Sequence, residues 1–443
     1  MKRLLNSLRC RQVAPFSSSV TYCEGIQDEK PRLDVQQQQQ QSSNLTDSNV
    51  GRPFDPEVGK LNNPYTFRRR RLSNVRRPDL SDGAGRKQQT ISQMHKQENL
   101  IAHKLARRHS YARNINTELS PKQMEDLPLP PRVLGIFTCP GLEPVYHVDY
   151  VRHVDGFERE EITKVATIAK INQDRGVAAY PYGLDENRKV ALFGVYDGHG
   201  AMGGQIAQHV MAAIQRDLVL HPTFESDLAR AFLGVFRHVD EMIQNLSYVD
   251  ANYSGTTACV VLLTEKDITT SNVGDSRCVL GRRSKEGKIL AIELTKDQNP
   301  DCESEYNRIV ESGGFVSPPE GDGLSARVWL DQDYTQVGLA MARSIGDHIL
   351  RQVGVICDPV VNTVPLEAEV DEFLILGSDG IWEFISSEEA VEIVHACLRS
   401  GDGASFACKT LIDIAASRWR YVEGDYRDDI TAIVVDLKSI WNQ

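Results

Sequence analysis

Four short apolar, β-branched runs follow one another at 256–263, 268–273, 276–281 and 289–294, with brief turns and no helix between them. Strands joined this closely can only pair antiparallel, because a parallel crossover needs a dozen or more residues. Further runs at 190–196, 373–376 and 430–437 also end in turn residues, while helical spacing is confined to 203–220, 224–246, 302–312, 387–399 and 404–419. Grouped strands and grouped helices predict an α+β fold rather than a doubly wound parallel sheet.

Charge divides the chain in two. Of 50 Lys+Arg and 61 Asp+Glu, residues 1–120 hold 21 basic and 11 acidic side chains, leaving 29 and 50 beyond them. The 443 residues, 41% of them hydrophobic, allow one large folded domain with a tail. The acidic body argues against nucleic acid as its main ligand. No run approaches the roughly 18 apolar residues of a membrane span. Nine cysteines, an odd number without a C-x-x-C pair, suggest neither a disulfide framework nor a zinc ribbon, and fit a reducing intracellular compartment.

The tail, 1–120, reads as a basic, largely disordered extension, with a glutamine tract at 36–41. Residues 1–23 are basic, free of acidic side chains and rich in Ser and Thr, the composition of a mitochondrial targeting segment. The alternative addresses are cytosol and nucleus. The arginines at 68–71 read as a solvated charge run or as an anion-binding or nuclear-import patch, and Ser73 and Ser110 each follow an Arg pair as kinase sites do. Residues 94–113 have the makings of a short basic helix.

In the body, aspartates stand where strands stop. The run at 190–196 leads into Asp197-Gly198-His199-Gly200, and 373–376 leads into Gly377-Ser378-Asp379-Gly380. Asp428 and Asp429 precede the last run, Asp347 closes 338–346, and Asp174 follows Asn172-Gln173. One Asp-Gly is ordinarily a turn. Several acidic strand ends without a His/Cys cluster suit hard cations, Mg²⁺ or Mn²⁺ rather than Zn²⁺. Two such ions can bind a phosphate and activate a water, with His199 placed to protonate a leaving oxygen. The spacing supports metal-assisted hydrolysis.

Eight motifs in order then resemble the metal-dependent serine/threonine protein phosphatases of type 2C, in wording similar to plant and protist members. They are Asn172-Gln173-Asp174, VYDGHG at 195–200, SGTTA at 254–258, NVGDSR at 272–277, ARVW at 326–329, GLAMARSIGD at 338–347, LGSDGIWE at 376–383 and RDDIT at 427–431. The resemblance implies a catalytic domain over about 130–440: a two-sheet antiparallel β-sandwich flanked by helices on both sides. It implies hydrolysis of phosphoserine and phosphothreonine on phosphorylated protein substrates; the chain is expected to be monomeric. Asp197 would bridge two Mn²⁺ or Mg²⁺ ions, the Gly198 carbonyl would bind one, and Asp379 and Asp428 would complete the other. Asp174 would orient water, and Asp347 with Asp379 would offer a third, weaker metal site. A metal-bridged hydroxide would attack phosphorus directly, with His199 as general acid. The sequence departs from the family at Gln173, where animal members carry Glu, and at Ala169, where they place a phosphate-binding Arg; Lys170 or Lys164 is the nearest substitute.

Rival readings are narrower. A catalytically weak or inactive member serving as a regulatory binding module would have lost its metal ligands, yet Asp197, Gly198, Asp379 and Asp428 are all present. Cys302 and Arg308 match the C-x5-R spacing of cysteine-dependent phosphatases, but Glu303 and Glu305 would lie in the dianion cradle. Ser254, Thr256 and Thr257 are expected to bond backbone, Asp275 to pair with Arg277, Arg327 and Arg343 to reach phosphate or brace the cleft, and Trp329 and Trp382 to lie in the core.

Overall fold

The structure, a computed structural model, describes residues 109–152, 158–185, 187–319 and 325–442. The targeting segment, the glutamine tract, the arginines at 68–71 and Ser73 lie outside the described residues. Two six-stranded sheets dominate. The first runs His109–Tyr111, Arg175–Ala179, Val190–Tyr196, Ala258–Thr264, Asp267–Val273 and Val360–Pro365, all antiparallel. The second runs Ile289–Glu293, Arg277–Arg283, Asp371–Gly377, Ile430–Asp436, Leu134–Cys139 and Arg113–Asn114, with only the last pair parallel.

Alternation along the central strands builds the layers. In Val190–Tyr196, Ala191, Phe193 and Val195 face the second sheet, meeting Leu280, Leu374, Leu376 and Ile433 in a core between the sheets. Val190, Leu192 and Tyr196 face outward, against helices Gly203–Leu220 and Leu228–Gln244. The second sheet mirrors this: Phe373 and Ile375 pack outward on helices Ser387–Arg399 and Gly403–Glu423. Both faces of each sheet are therefore covered, which is why these strands read as continuous apolar runs. Each fully buried aliphatic side chain contributes about 1.5–3 kcal/mol. The helices start where capping chemistry allows. Asp227 accepts from the Arg230 N–H at 3.0 Å, and Ser386 accepts from the Glu389 N–H at 3.2 Å.

Two expectations are corrected. The folded body begins by His109 rather than near 130, since His109–Tyr111 and Arg113–Asn114 add an edge strand to each sheet. Strands of three and two residues are too short for periodicity to register. Ser110 is consequently buried and paired with Ala178, which hides its hydroxyl from a kinase, and residues 109–114 are extended rather than helical. Smaller elements complete the fold. The helix Glu303–Glu311 and the hairpin of Phe315–Ser317 with Arg327–Trp329 share their own apolar cluster, and Trp329, half-buried, packs against Tyr334 rather than entering the main core. An isolated two-stranded ribbon, Leu142–Arg152 with Glu158–Ala169, escaped the sequence reading although VYHVDYV alternates openly. No described helix is long and apolar enough to cross a membrane.

Candidate active site

Pairing register brings the acidic strand ends together. Arg175 opposes Tyr196, so Asp174 and Asp197 stand beside each other at one end of the first sheet. Asp197 is fixed by its backbone: its N–H donates to Thr257 Oγ1 at 2.9 Å and its carbonyl accepts from the Thr257 N–H at 3.0 Å. Thr257 thus has the backbone role expected of it. On the second sheet, Ser378 N–H donates to the Thr431 carbonyl at 3.1 Å, placing Asp379 against Asp428 and Asp429. A Cβ on Gly380 would come within 2.1 Å of the Asp429 carbonyl, so glycine is required for that approach. The two sheets are stitched at the site itself, where Ser378 Oγ donates to Asp174 Oδ2 at 2.7 Å.

Asp429, unassigned from the sequence, is the hub. Its Oδ1 accepts from the Gly141 N–H at 2.6 Å and its Oδ2 from the Gln173 N–H at 2.8 Å. Burial, reinforced by Asp174 and Asp428 and opposed by Lys170, pushes its carboxyl up to about 7. Gln173 serves a second structural bond, donating from Nε2 to the Gly200 carbonyl at 2.7 Å. Lys170 Nζ lies 2.7 Å from Asp428 Oδ1 and 5.2 Å from the Tyr426 ring centre. Burial alone would lower its pKa, but Asp428, with Tyr426 and Asp429, raises it and holds the ammonium charged. Lys164 points elsewhere, into an ion pair with Asp425.

His199 belongs to a small three-stranded sheet in which Gly255–Thr256 lies between Gly198–His199 and Ile345–Gly346. Its Nε2 lies 2.7 Å from Asp347 Oδ2, both side chains being buried. The structure places Asp347, expected from the family resemblance at a third, weaker metal site, against His199. The carboxylate is fully buried and engaged with the imidazole, a setting that orients the ring. Gly255 is glycine because a Cβ there would sit 2.2 Å from Asp347 Oδ2. Asp347 itself adopts φ 50°, and Asp240 holds the turn: its Oδ1 accepts from the Gly346 N–H and from Arg351 Nη2, both at 2.8 Å. His199 Nδ1 is buried without a hydrogen-bond partner among the described residues.

The remaining candidates are structural. Arg343 clasps Glu305 through Nε and Nη2 at 2.9 and 2.7 Å, and buried Arg327 donates to the Gly338 carbonyl at 2.9 Å, so both brace the fold. Arg277 forms a fork with Asp297 at 2.9 and 2.6 Å, and Asp275 adds negative charge beside its guanidinium. Cys302 precedes the helix it was expected to join, its thiol pushed up by burial, while Arg308 is spent on Glu305 and the Gly354 carbonyl. No anion cradle forms there. Cys302→Ser is expected to leave kcat/KM on a phosphopeptide within about twofold of wild type; a loss of a hundredfold in a steady-state assay would reinstate a thiolate mechanism.

The donor set around the strand ends is all oxygen: three aspartates and the Gly198 carbonyl. Among the described residues, no three His, Cys, Asp or Glu side chains converge closely enough to cage an ion by themselves. Hard divalent cations that keep several waters need no such cage. Burial is the main cause of the upward push on Asp429, and the neighbouring Asp174 and Asp428 add to it.

The family model described as Protein phosphatase 2C matches residues 155–420. The chain belongs to the protein phosphatase 2C family. As a member it is a serine/threonine protein phosphatase, a hydrolase of a Mn/Mg-dependent family acting on phosphoproteins. Among curated relatives, "Probable protein phosphatase 2C 72" of Arabidopsis thaliana is 32% identical over 308 residues, covering 67% of this chain and 87% of that protein. "Probable protein phosphatase 2C 73" of the same plant is 30% identical over 292 residues, covering 61% and 76%. The crystal structure of serine-threonine phosphatase 2C from Toxoplasma gondii shares the fold at TM-score 0.54 and 20% identity, over 68% of this chain and 98% of that one.

Proposed function

We propose that this phosphatase hydrolyses phosphoserine and phosphothreonine directly at a centre for two Mn²⁺ or Mg²⁺ ions, held by Asp197, the Gly198 carbonyl, Asp379 and Asp428. When bound, the ions supply Lewis acidity and a water activated near neutral pH. The chain's own groups do the rest. Asp174, held by Ser378, orients the attacking water. Lys170 offers its ammonium to a phosphate oxygen, as a point charge without the bidentate fork of an arginine. His199, its ring set by Asp347, passes a proton from Nδ1 to the departing serine or threonine oxygen, once the glycine-flanked turn at 198–200 admits the substrate. The observation that carries this reading is the meeting of the buried carboxylates Asp174, Asp197, Asp379 and Asp429 at adjoining ends of the two sheets.

The test uses chelator and thermal melting together. A phosphothreonine peptide is expected to be hydrolysed with Mn²⁺, spared in EDTA, and hydrolysed again on re-addition. The metal-free protein should also lose Tm as pH rises from about 5 to about 7: a carboxyl with a raised folded-state pKa binds more protons folded than unfolded across that window, so its contribution falls with pH. Mn²⁺ should abolish the fall. Full activity in EDTA would sink the proposal.

A further inference from the structure

The ribbon of Leu142–Arg152 and Glu158–Ala169 rises from the rim of the active site. Leu142 exchanges both backbone hydrogen bonds with Arg427, at 2.8 and 3.0 Å, immediately before Asp428. Lys170 N–H donates to the Gly141 carbonyl at 2.9 Å, and Gly141 N–H donates to Asp429. The base of the ribbon is thereby built into the carboxylate cluster. Among the described residues, Glu158–Ala169 pairs along one edge only, with Leu142–Arg152.

Charge guards this edge over Glu158, Arg159, Glu160, Glu161 and Lys164, but from Val165 to Ala169 no residue is charged. All six residues from Lys164 to Ala169 are exposed. Val165, Ile168 and Ile171 stand 64%, 51% and 88% exposed, and Ile171 lies between Lys170 and Asn172. Natural edge strands ordinarily blunt themselves with charge, proline or brevity, because unpaired N–H and C=O groups beside apolar side chains recruit another strand. A bulge between Val145 and Tyr146 leaves Val165 as the unpaired extra residue, and bulges re-aim side chains near active sites.

We infer that this edge is a substrate-docking strand, taking an extended, apolar segment of the phosphoprotein that flanks the phosphorylated residue. The inference rests on the phosphatase reading above. Its occupant follows from continuity: a phosphoprotein entering the cleft must lay its main chain across the rim, and the edge leads straight to Lys170. At about 3.3 Å per residue, Ile168 lies roughly 7 Å and Val165 roughly 17 Å along the strand from Lys170. Apolar substrate side chains about two to five residues from the phosphate would meet them, while backbone pairing supplies affinity.

The experiment compares full-length wild type with the triple variant Val165→Thr, Ile168→Thr, Ile171→Thr, which keeps β-branched side chains and so the ribbon. Substrates are a phosphothreonine peptide with valine or leucine two to five positions from the phosphate, the same peptide with serine there, and p-nitrophenyl phosphate, all with Mn²⁺. The variant is expected to lose about tenfold in kcat/KM on the apolar peptide, the effect of partly burying one aliphatic side chain. The serine peptide and p-nitrophenyl phosphate should stay within about twofold. An equal change on both peptides, or none, would overturn the docking strand, as would a wild-type dimer in sedimentation that the variant dissolves. Wild type inert towards p-nitrophenyl phosphate would instead overturn the catalytic reading beneath it.

Discussion

Asp197→Ala is expected to lower kcat on a phosphothreonine peptide by about a thousandfold or more, while the protein still folds. The size follows from position. Asp197 is the carboxylate proposed to touch both ions, it sits at the end of a fully buried strand, and no neighbouring acidic group can reach its place without breaking the register of Arg175 with Tyr196. Folding should survive because the hydrogen bonds with Thr257 are made by the Asp197 backbone, which alanine retains. Removing one negative charge from the crowded cluster should even raise Tm in EDTA, whereas Mn²⁺ should no longer raise it. Calorimetric titration with Mn²⁺ and a melting curve check both halves. Retained activity together with retained Mn²⁺ stoichiometry would show that the ions, if bound, lie elsewhere.

The second large effect concerns the buried pair of His199 and Asp347. His199→Gln should cost about a hundredfold or more in kcat on the phosphopeptide, and far less on p-nitrophenyl phosphate, whose leaving group needs no proton. That contrast separates an acid from a merely structural histidine, which would slow both substrates alike. Asp347→Asn should cost about tenfold on the peptide, with little added loss when combined with His199→Gln, because the carboxylate acts through the ring. The Asn variant should bind as many Mn²⁺ ions as wild type; a lost ion would return Asp347 to the metal-binding role that the family resemblance implied.

Much of the architecture is legible in the sequence. Strands buried on both faces write themselves as apolar, β-branched runs, and the helices that cover them carry 3.6-residue spacing with capping residues such as Asp227 and Ser386. The aspartates at strand ends were legible for the same reason, since an abrupt change from apolar to Asp-Gly marks where a buried strand meets solvent. The short edge strands His109–Tyr111 and Arg113–Asn114 were not, because two or three residues carry no period. The ribbon of Leu142–Arg152 and Glu158–Ala169 carries an alternating signal only over residues 145–151, weaker than that of a fully apolar run.

By itself, then, the sequence determined the layers, the order of the motifs and the type of ion the site would suit. Only the tertiary structure decided who serves whom within it. Asp347 meets His199 across 148 residues, Ser378 meets Asp174 across 204, and Gly141 meets Asp429 across 288. Local periodicity reports what a residue buries, not which distant residue it buries against. Those pairings arise from strand register and sheet stacking, and they turn a set of acidic turns into a His199 set by Asp347, an Asp174 held by Ser378 and an Asp429 held by Gly141.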